Sequence, residues 1–534
     1  MATPLSSASL VFIFCEMNQL LSTQKPLRIA FIALHYMYLC RAFFAGVLLP
    51  FGFAPFHMPG LSVLGIALLF AQLRHQTLKQ SFLTGFVFGL GFLGVGVSWV
   101  FVSIHAYGHL DYFLSALITL LFVVYLALYP ALVAALYSSL SKHCSFLGAG
   151  VLFSALWCLG EYLRSNFIGG FPWLLLGFGQ IDAPLGSILP IIGVYGVSFL
   201  TCLAGTLLII STQHSGIKRY IGLAVFVALL ITPSFLKNTE WTQQSANPLS
   251  VGIIQANLSM RDKWDEALFW RLLEVYQKGI EQLMGEKKLI VLPESAIPLP
   301  ASYVSDILET IHQKAARLGS SVLLGIPEPT STEETYYYNS LISLGDAKGK
   351  YLKQHLVPFG EFIPEPFGKL IHWLGIPSAN LKPGKRNQPL IQVHDYPIAS
   401  LICYELAYPE LLRQQLPEAA FIVSISDDGW FGHSLAVYQQ LQIAEVLSLQ
   451  TGRYQVVANN DGLSSIINTQ GAVIASLPAF SAGVLESTVY PASGITPWVY
   501  WGDWPALLVM WSILLVCFWM KMKAKGPNRF AKMN

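Results

Sequence analysis

The sequence predicts two units in one chain: an α-helical membrane bundle of about eight transmembrane helices, and an α/β domain set between the seventh and eighth of them. Three observations carry this prediction. Of the 534 residues 54% are hydrophobic and 12% charged, against about 25% charged in an ordinary soluble protein. Apolar segments of about 20 residues, enough to cross roughly 30 Å of hydrocarbon, recur through the first 236 residues and once more near the end. From residue 248 onward, short β-rich runs alternate with amphipathic helical stretches, which is the α/β pattern.

The spans are read at 28–48, 60–74, 81–104, 112–140, 147–163, 186–211, 219–236 and 504–521. The second is short and the fourth long, a mismatch that tilt or kinks absorb. Basic residues cluster in alternate connections: Arg74 and Lys79, Lys142, Lys218 and Arg219, then Lys521, Lys523, Lys525, Arg529 and Lys532. The positive-inside tendency puts these in the cytoplasm and the block 237–503 on the opposite side. Residues 1–27 hold an apolar run, LVFIFC, with no basic segment before it and no clear cleavage site after it, and are read as an N-terminal extension. Residues 504–534 are the last span and a basic tail. A net charge of +2 implies no nucleic-acid partner.

In the block 237–503, strands are expected at LSVGIIQAN, KLIVLPES, SSVLLGIPE, YNSLISL, PIASLIC, AAFIVSIS, YQVVANN and SSIINTQG. Helices are expected at 265–285, 301–318 and 436–451. Only Cys403 of the seven cysteines lies here, at the end of PIASLIC. A thiol at a strand end reads either as a nucleophile presented at a sheet edge or as a buried structural cysteine. Glu294, within LPES at a strand end, stands where ligands of α/β sheets collect, although a solvated loop glutamate has the same signature. Lys353, in YLKQHLVPFGEF, reads alone as a surface charge. In the membrane half, Glu161 and Arg164 share a helical face and are expected to pair with each other. The Gly- and Pro-rich stretches 357–366 and 372–389 are candidate lids.

Glu, Lys and Cys after three strand-like runs resemble the constellation of the carbon–nitrogen hydrolase (nitrilase) superfamily, over about 248–490. The whole chain resembles the bacterial apolipoprotein N-acyltransferase family, which joins such a domain to eight membrane helices. The membrane-half motifs are FAPF (Phe53–Phe56), SWVFVSI (Ser98–Ile104), Trp157 with Glu161, Tyr162, Leu163 and Arg164, and GFPW (Gly170–Trp173). LPESAIP, HLVPFGEFIP and ICYE carry the resemblance in the soluble half.

The resemblance implies a nitrilase-like αββα sandwich in the periplasm, tethered to a bacterial inner membrane. It implies Cys403 as acylated nucleophile, Glu294 as general base and Lys353 as stabiliser of the oxyanion. Supporting roles fall to Glu361, Tyr404, Glu405, Asn339, Trp264 and Trp430. Either tryptophan reads equally as a pocket wall or as an ordinary core or cap residue. The implied partners are a phospholipid acyl donor, an apolipoprotein whose N-terminal diacylglyceryl-cysteine is the acceptor, and membrane lipids; no cofactor and no metal are implied. The chain departs from the family pattern at Asp427 and Gly429, where Asn and Ala are usual, at Gln440, where His is usual, in Glu445–Gln450, and at Asp461. A membrane-tethered amidase using water as second nucleophile, and a non-catalytic lipid- or lipoprotein-binding relative, are the rival readings.

Overall fold

A computed structural model describes residues 25–525 apart from 109, 214, 264, 331–335, 364–367 and 369–379. The helical half comprises α1 (Lys25–Val47), α2 (Pro59–Leu73), α3 (Leu78–Gly96), α4 (Tyr112–Leu140), α5 (Phe146–Asn166), α6 (Leu189–Gln213) and α7 (Ile217–Ile231). Side-chain caps set three of the starts. Thr77 and Gln80 form a capping box on α3, Asp111 accepts from the Leu114 N–H of α4, and Ser145 accepts from the Gly148 N–H of α5.

The α/β half contains β1 (Leu249–Gln255), α8 (Phe269–Leu283), β2 (Leu289–Val291), α9 (Ser305–Leu318), β3 (Ser321–Pro329) and β4 (Tyr337–Gly345). It continues with β5 (Ala347–Lys348), β6 (Lys350–Leu352), β7 (Ile391–Val393), β8 (Tyr396–Ile402) and β9 (Phe421–Ser426). Then come α10 (Ala436–Thr451), β10 (Gln455–Asn459), β11 (Ser465–Ile467), β12 (Val473–Ser476) and β13 (Gly483–Val489), before α11 (Trp504–Lys525) returns to the helical half.

Among the described residues, six helical stretches are long and apolar enough to cross a membrane: Leu78–Gly96, Tyr112–His143, Phe146–Asn166, Pro184–Gln213, Arg219–Leu236 and Trp504–Ala524. Tyr36–Gly52 and Pro59–Leu73 are shorter apolar helices in the places of the first two expected spans. The expected third span, 81–104, is not continuous. The helix stops at Gly96, a short turn of helix covers Trp99–Val102, and a π-helical turn follows at Ser103–Tyr107. The break turns Trp99 into the aromatic group of Trp173 and Phe431, ring centroids 5.4 and 4.9 Å away. Residues 1–24, and the parts of the two candidate lids at 364–366 and 372–379, lie outside the described residues.

Two sheets stack face to face. The first has the order β13-β1-β2-β3-β4-β6 and the second β12-β11-β10-β9-β8-β7-β5. In each, three central strands are parallel, β1-β2-β3 and β8-β9-β10. Alternate residues of both inner faces, Val251, Ile253, Val291 and Leu323 against Ile398, Ile402, Val423 and Ile425, form the core between the sheets. The other face of the first sheet packs Ile290, Val322 and Leu324 against Leu272, Tyr276 and Ile311 of α8 and α9. The other face of the second sheet meets α10, and this layer is continuous with the membrane half through Trp173, Phe178 and Trp498. Helix α10 is therefore buried on nearly every side, which explains why it carries so few charges.

Chain direction then gathers the chemistry. Because β6 is antiparallel to β4, and β4 to β3, β6 runs the same way as β3. Glu294 after β2 and Lys353 after β6 thus share the carboxyl edge of the first sheet, and Cys403 after β8 and Asp427 after β9 share that of the second.

Candidate active site

Cys403 follows the last residue of β8 with a φ of +54°, a left-handed conformation that costs a non-glycine residue about 1–3 kcal/mol and needs its surroundings to impose it. The imposing group is Glu405, wholly buried two residues on. Its carboxylate accepts from the Ile402 N–H (2.8 Å), the Gln354 N–H (2.7 Å), the His355 N–H (3.0 Å) and the Tyr351 hydroxyl (3.0 and 3.1 Å). One carboxylate therefore ties the turn that carries Cys403 to the segment that carries Lys353. Burial pushes its pKa up to about 7 against the opposing pull of the backbone donors and the Lys353 charge. Every partner donates, so the ionised form is the one these contacts serve.

Lys353 is buried, and its ammonium sits 2.7 Å from Glu361 Oε1 and 3.4 Å from Glu294 Oε1. Burial alone would depress its pKa, but the Glu361 and Glu294 carboxylates more than offset this and hold it above the ordinary lysine value. The Asn339 side-chain amide bridges the same two carboxylates, 2.6 Å from Glu294 Oε1 and 3.2 Å from Glu361 Oε1, and Glu361 Oε2 accepts the Val357 N–H at 2.8 Å. The backbone at Glu294 lies directly on β3. A Cβ at Gly325 would come within 2.6 Å of Glu294 Cα and of the Pro293 carbonyl oxygen, so only glycine allows this approach.

Cys403 is buried, and burial first, then the Glu294 carboxylate, push its thiol pKa well above the ordinary value while Lys353 pulls it down. The resting thiol is accordingly neutral, beside the contact between Lys353 and Glu294. Such a thiol becomes nucleophilic when the base takes its proton during attack.

The floor is built by the membrane half. Tyr404 and Tyr408 each donate a hydroxyl hydrogen bond to the Gly170 carbonyl at 3.2 Å, and the Trp173 ring lies nearly parallel to that of Tyr404 at 6.5 Å. Glu161 and Arg164, expected to pair with each other, form no direct ion pair within the described set and instead hold this loop from below. Arg164 donates to the carbonyls of Phe171 (3.1 Å), Trp173 (2.5 Å) and Leu174 (3.4 Å), while Glu161 Oε1 accepts the Leu176 N–H and the Trp157 indole N–H, both at 3.0 Å. Loop carbonyls and amides outcompete the pair because they would otherwise be buried without partners. Trp430, 44% exposed, meets the membrane half, with the Ser103 hydroxyl on its carbonyl at 2.7 Å and the Tyr107 ring 5.7 Å away. Trp264 lies outside the described residues.

Sequence reasoning missed a second buried charge group behind Glu294. Lys263, with a fully buried side chain, pairs with Asp427, and Asp428 and Asp461 lie beside them. Nothing in SMRDKW distinguishes Lys263 from a surface lysine. Asp427 was legible only as a departure from the pattern Ser-Asn-Asp. Gln440, another departure, donates to the Ser426 hydroxyl at 2.7 Å, and that hydroxyl in turn donates to Asp428 at 2.8 Å. Burial pushes Asp428 up to about 7 and, with Asp427 and Asp428 adding, Asp461 up to about 8. Among the described residues no group of three or more His, Cys, Asp or Glu side chains is placed to hold a metal ion.

A buried thiol, a carboxylate and a buried ammonium that act on one another above a floor supplied by the membrane half are groups suited to acyl transfer through a thioester. Residues 45–207 match the family described as Apolipoprotein N-acyltransferase N-terminal domain, and residues 250–496 match Carbon-nitrogen hydrolase. The chain is 37% identical to an apolipoprotein N-acyltransferase of Methylococcus capsulatus, over 89% of this chain and 94% of that protein. Proteins of the same name from Pseudomonas syringae (34% identity, 90% of this chain and 96% of that one) and Coxiella burnetii (35%, 89% and 99%) are similar over comparable lengths.

Proposed function

Because the chain belongs to the apolipoprotein N-acyltransferase family, we propose that it moves an acyl chain from a phospholipid to the N-terminal α-amine of diacylglyceryl-cysteine apolipoproteins, through a thioester on Cys403. The observation that supports this most is the pairing of Lys353 with Glu294 at 3.4 Å beside a strained, buried Cys403, over a floor supplied by the membrane half.

In the first step the thiol sulfur attacks the ester carbonyl carbon as Glu294 takes the thiol proton. The carbonyl oxygen becomes an oxyanion next to the Lys353 ammonium, whose charge is strong in a site this dry. Collapse breaks the ester C–O bond, Glu294 returns the proton to the departing lysophospholipid oxygen, and the acyl group stays on sulfur. In the second step the neutral amine attacks the thioester carbon, Glu294 accepts a proton from nitrogen, and as the C–S bond breaks Glu294 passes that proton to the departing sulfur, which restores the thiol and releases the amide. Glu361 and Asn339 hold Lys353 and Glu294 in register.

Contact of Tyr404 and Tyr408 with the 167–176 loop supports a site that opens at the bilayer surface. Both lipid substrates then reach it by lateral diffusion, without the cost of drawing chains into water, about 0.8 kcal/mol per CH2. We place the α/β half on the periplasmic side of a bacterial inner membrane, a reading supported by the basic connections at Arg74, Lys142 and Lys521.

A phospholipid labelled in one acyl chain, incubated with a diacylglyceryl-cysteine peptide, separates this reading from an amidase. Labelled N-acyl peptide, absent with Cys403→Ala, is expected. Steady release of labelled free acid without amide would establish hydrolysis instead.

A further inference from the structure

Glu294 is gripped at two points by one buried ion pair. The Lys263 ammonium donates to the Glu294 main-chain carbonyl at 2.9 Å and to the Asp427 carboxylate, and the Asp427 N–H donates to Glu294 Oε2 at 3.1 Å. Backbone carbonyl, ammonium, carboxylate, amide and side-chain carboxylate thus close a ring on one residue. The ring is anchored in turn. Asp427 Oδ1 accepts from the Gly429 N–H (3.3 Å) and the Asn460 side-chain amide (3.2 Å), and Asn460 exchanges two hydrogen bonds with the backbone of Leu258, at 3.1 and 2.8 Å. Both charges are almost completely desolvated, with 0% and 4% of their side-chain surface exposed.

We propose that Lys263 and Asp427 are positioning residues for the base. By holding the Glu294 backbone and Oε2 together they fix the direction of its carboxylate, and by cancelling each other's charge they keep the base from sensing either alone. This rests on Glu294 being the base. The carboxylate's other oxygen is occupied by Asn339 and Lys353, so Oε2 is the oxygen whose direction remains to be set. Among the described residues the hydrogen bonds of the two side chains and of the Asp427 N–H go, beyond the pair itself, to Glu294, Gly429 and Asn460 and none goes to Cys403, so both residues act through Glu294. A buried ion pair is weak support for stability in its own right, which makes orientation the more economical reason for it.

The charge-balance half of the proposal has a signature that a merely structural pair lacks. The titratable and charged groups around Glu294 are Lys353 after β6, Glu361 and Cys403, Asp427 and Asp428 after β9, Asp461 after β10, and Lys263. Lys263→Met leaves the Asp427 carboxylate unbalanced and moves the acidic limb of the acylation pH profile to higher pH. Asp427→Asn leaves the ammonium unbalanced and moves that limb to lower pH. Lys263→Met/Asp427→Asn removes both charges, keeps the limb where it is in the wild type, and still loses the tether on the Glu294 carbonyl.

The test is the rate of acyl-enzyme formation against pH, followed by intact-mass spectrometry of the full chain with a diacyl phospholipid. Opposite limb shifts in the single variants, and an acylation rate about 10- to 100-fold lower in all three at unchanged lipid KM, are expected. Shifts in the same direction, no shifts, or wild-type rates overturn the proposal. If a single variant does not fold, the double variant decides alone: a lowered rate with an unmoved limb supports it, and a wild-type rate overturns it. Absence of any adduct in the wild type would remove the reading of Glu294 as base, and this proposal with it, whereas wild-type acylation with indifferent variants removes this proposal only.

Discussion

Glu405→Gln tests how far the geometry of the site depends on one carboxylate. The substitution keeps shape and volume but turns one acceptor oxygen into an NH2 donor. Every position is already taken by a donor: Gln354 N–H, His355 N–H and Tyr351 OH on one oxygen, Ile402 N–H and the same hydroxyl on the other. Whichever way the amide turns, at least one buried backbone N–H faces another donor. Leaving it unsatisfied costs about 1–3 kcal/mol, and weakening the remaining charge-assisted bonds brings the total to about 2–4 kcal/mol. The turn at Cys403 is the cheapest place to release this, because its φ of +54° is strained already. Expressed in the acylation step, the loss corresponds to roughly 30- to 900-fold in rate. Single-turnover acylation and thermal unfolding in detergent measure the two places where it can appear. A variant that acylates at the wild-type rate and melts at the wild-type temperature would refute the account of Glu405 as the tie between the Cys403 and Lys353 segments.

Three further outcomes follow from the same contacts. Gly325→Ala should lower stability by about 1–3 kcal/mol and acylation with it, since the new methyl meets the Glu294 backbone at 2.6 Å; a fully active, equally stable variant would contradict that close approach. Arg164→Met should cut acylation about tenfold while sparing the α/β half, because the loop under Tyr404 loses three carbonyl contacts, and limited proteolysis should show new cleavage within 167–176; unchanged kinetics would separate that loop from the site. Asp461, buried with one oxygen unpartnered, has a folded pKa of about 8, above its unfolded value of about 3.9. The folded state therefore holds the extra proton between these values, and the associated stability, complete below the lower one, is lost as pH rises through the upper one. The melting temperature of the wild type should fall over this range more steeply than that of Asp461→Asn, and parallel curves would exclude Asp461 as the source.

Much of this was legible in the sequence because it rests on period and chain direction. The helix over 112–140 matches α4 and that over 436–451 matches α10, since long apolar periodicity outweighs Pro130 within α4. Eight expected strands correspond to β1–β4 and β8–β11, whereas β5, β6, β7, β12 and β13 went unseen. Glu294, Lys353 and Cys403 were legible as strand-end residues in motifs. Lys263 was not, because its partner lies 164 residues away and only the fold brings them together. The break at Val97–Ser98 was hidden for a related reason: Trp99 leaves the helix to pack on Trp173 and Phe431, and nothing local to SWVFVSI announces those contacts.

The claim on which the rest stands is that Cys403 carries the acyl group between two lipids. Peptide mass spectrometry of the purified chain after exposure to a diacyl phospholipid addresses it directly. The account predicts a mass increase of one acyl group on the peptide containing Cys403, lost when a diacylglyceryl-cysteine peptide is added and recovered as its amide. Transfer that proceeds with Cys403 never acylated, or an adduct that the amine leaves untouched, would contradict it.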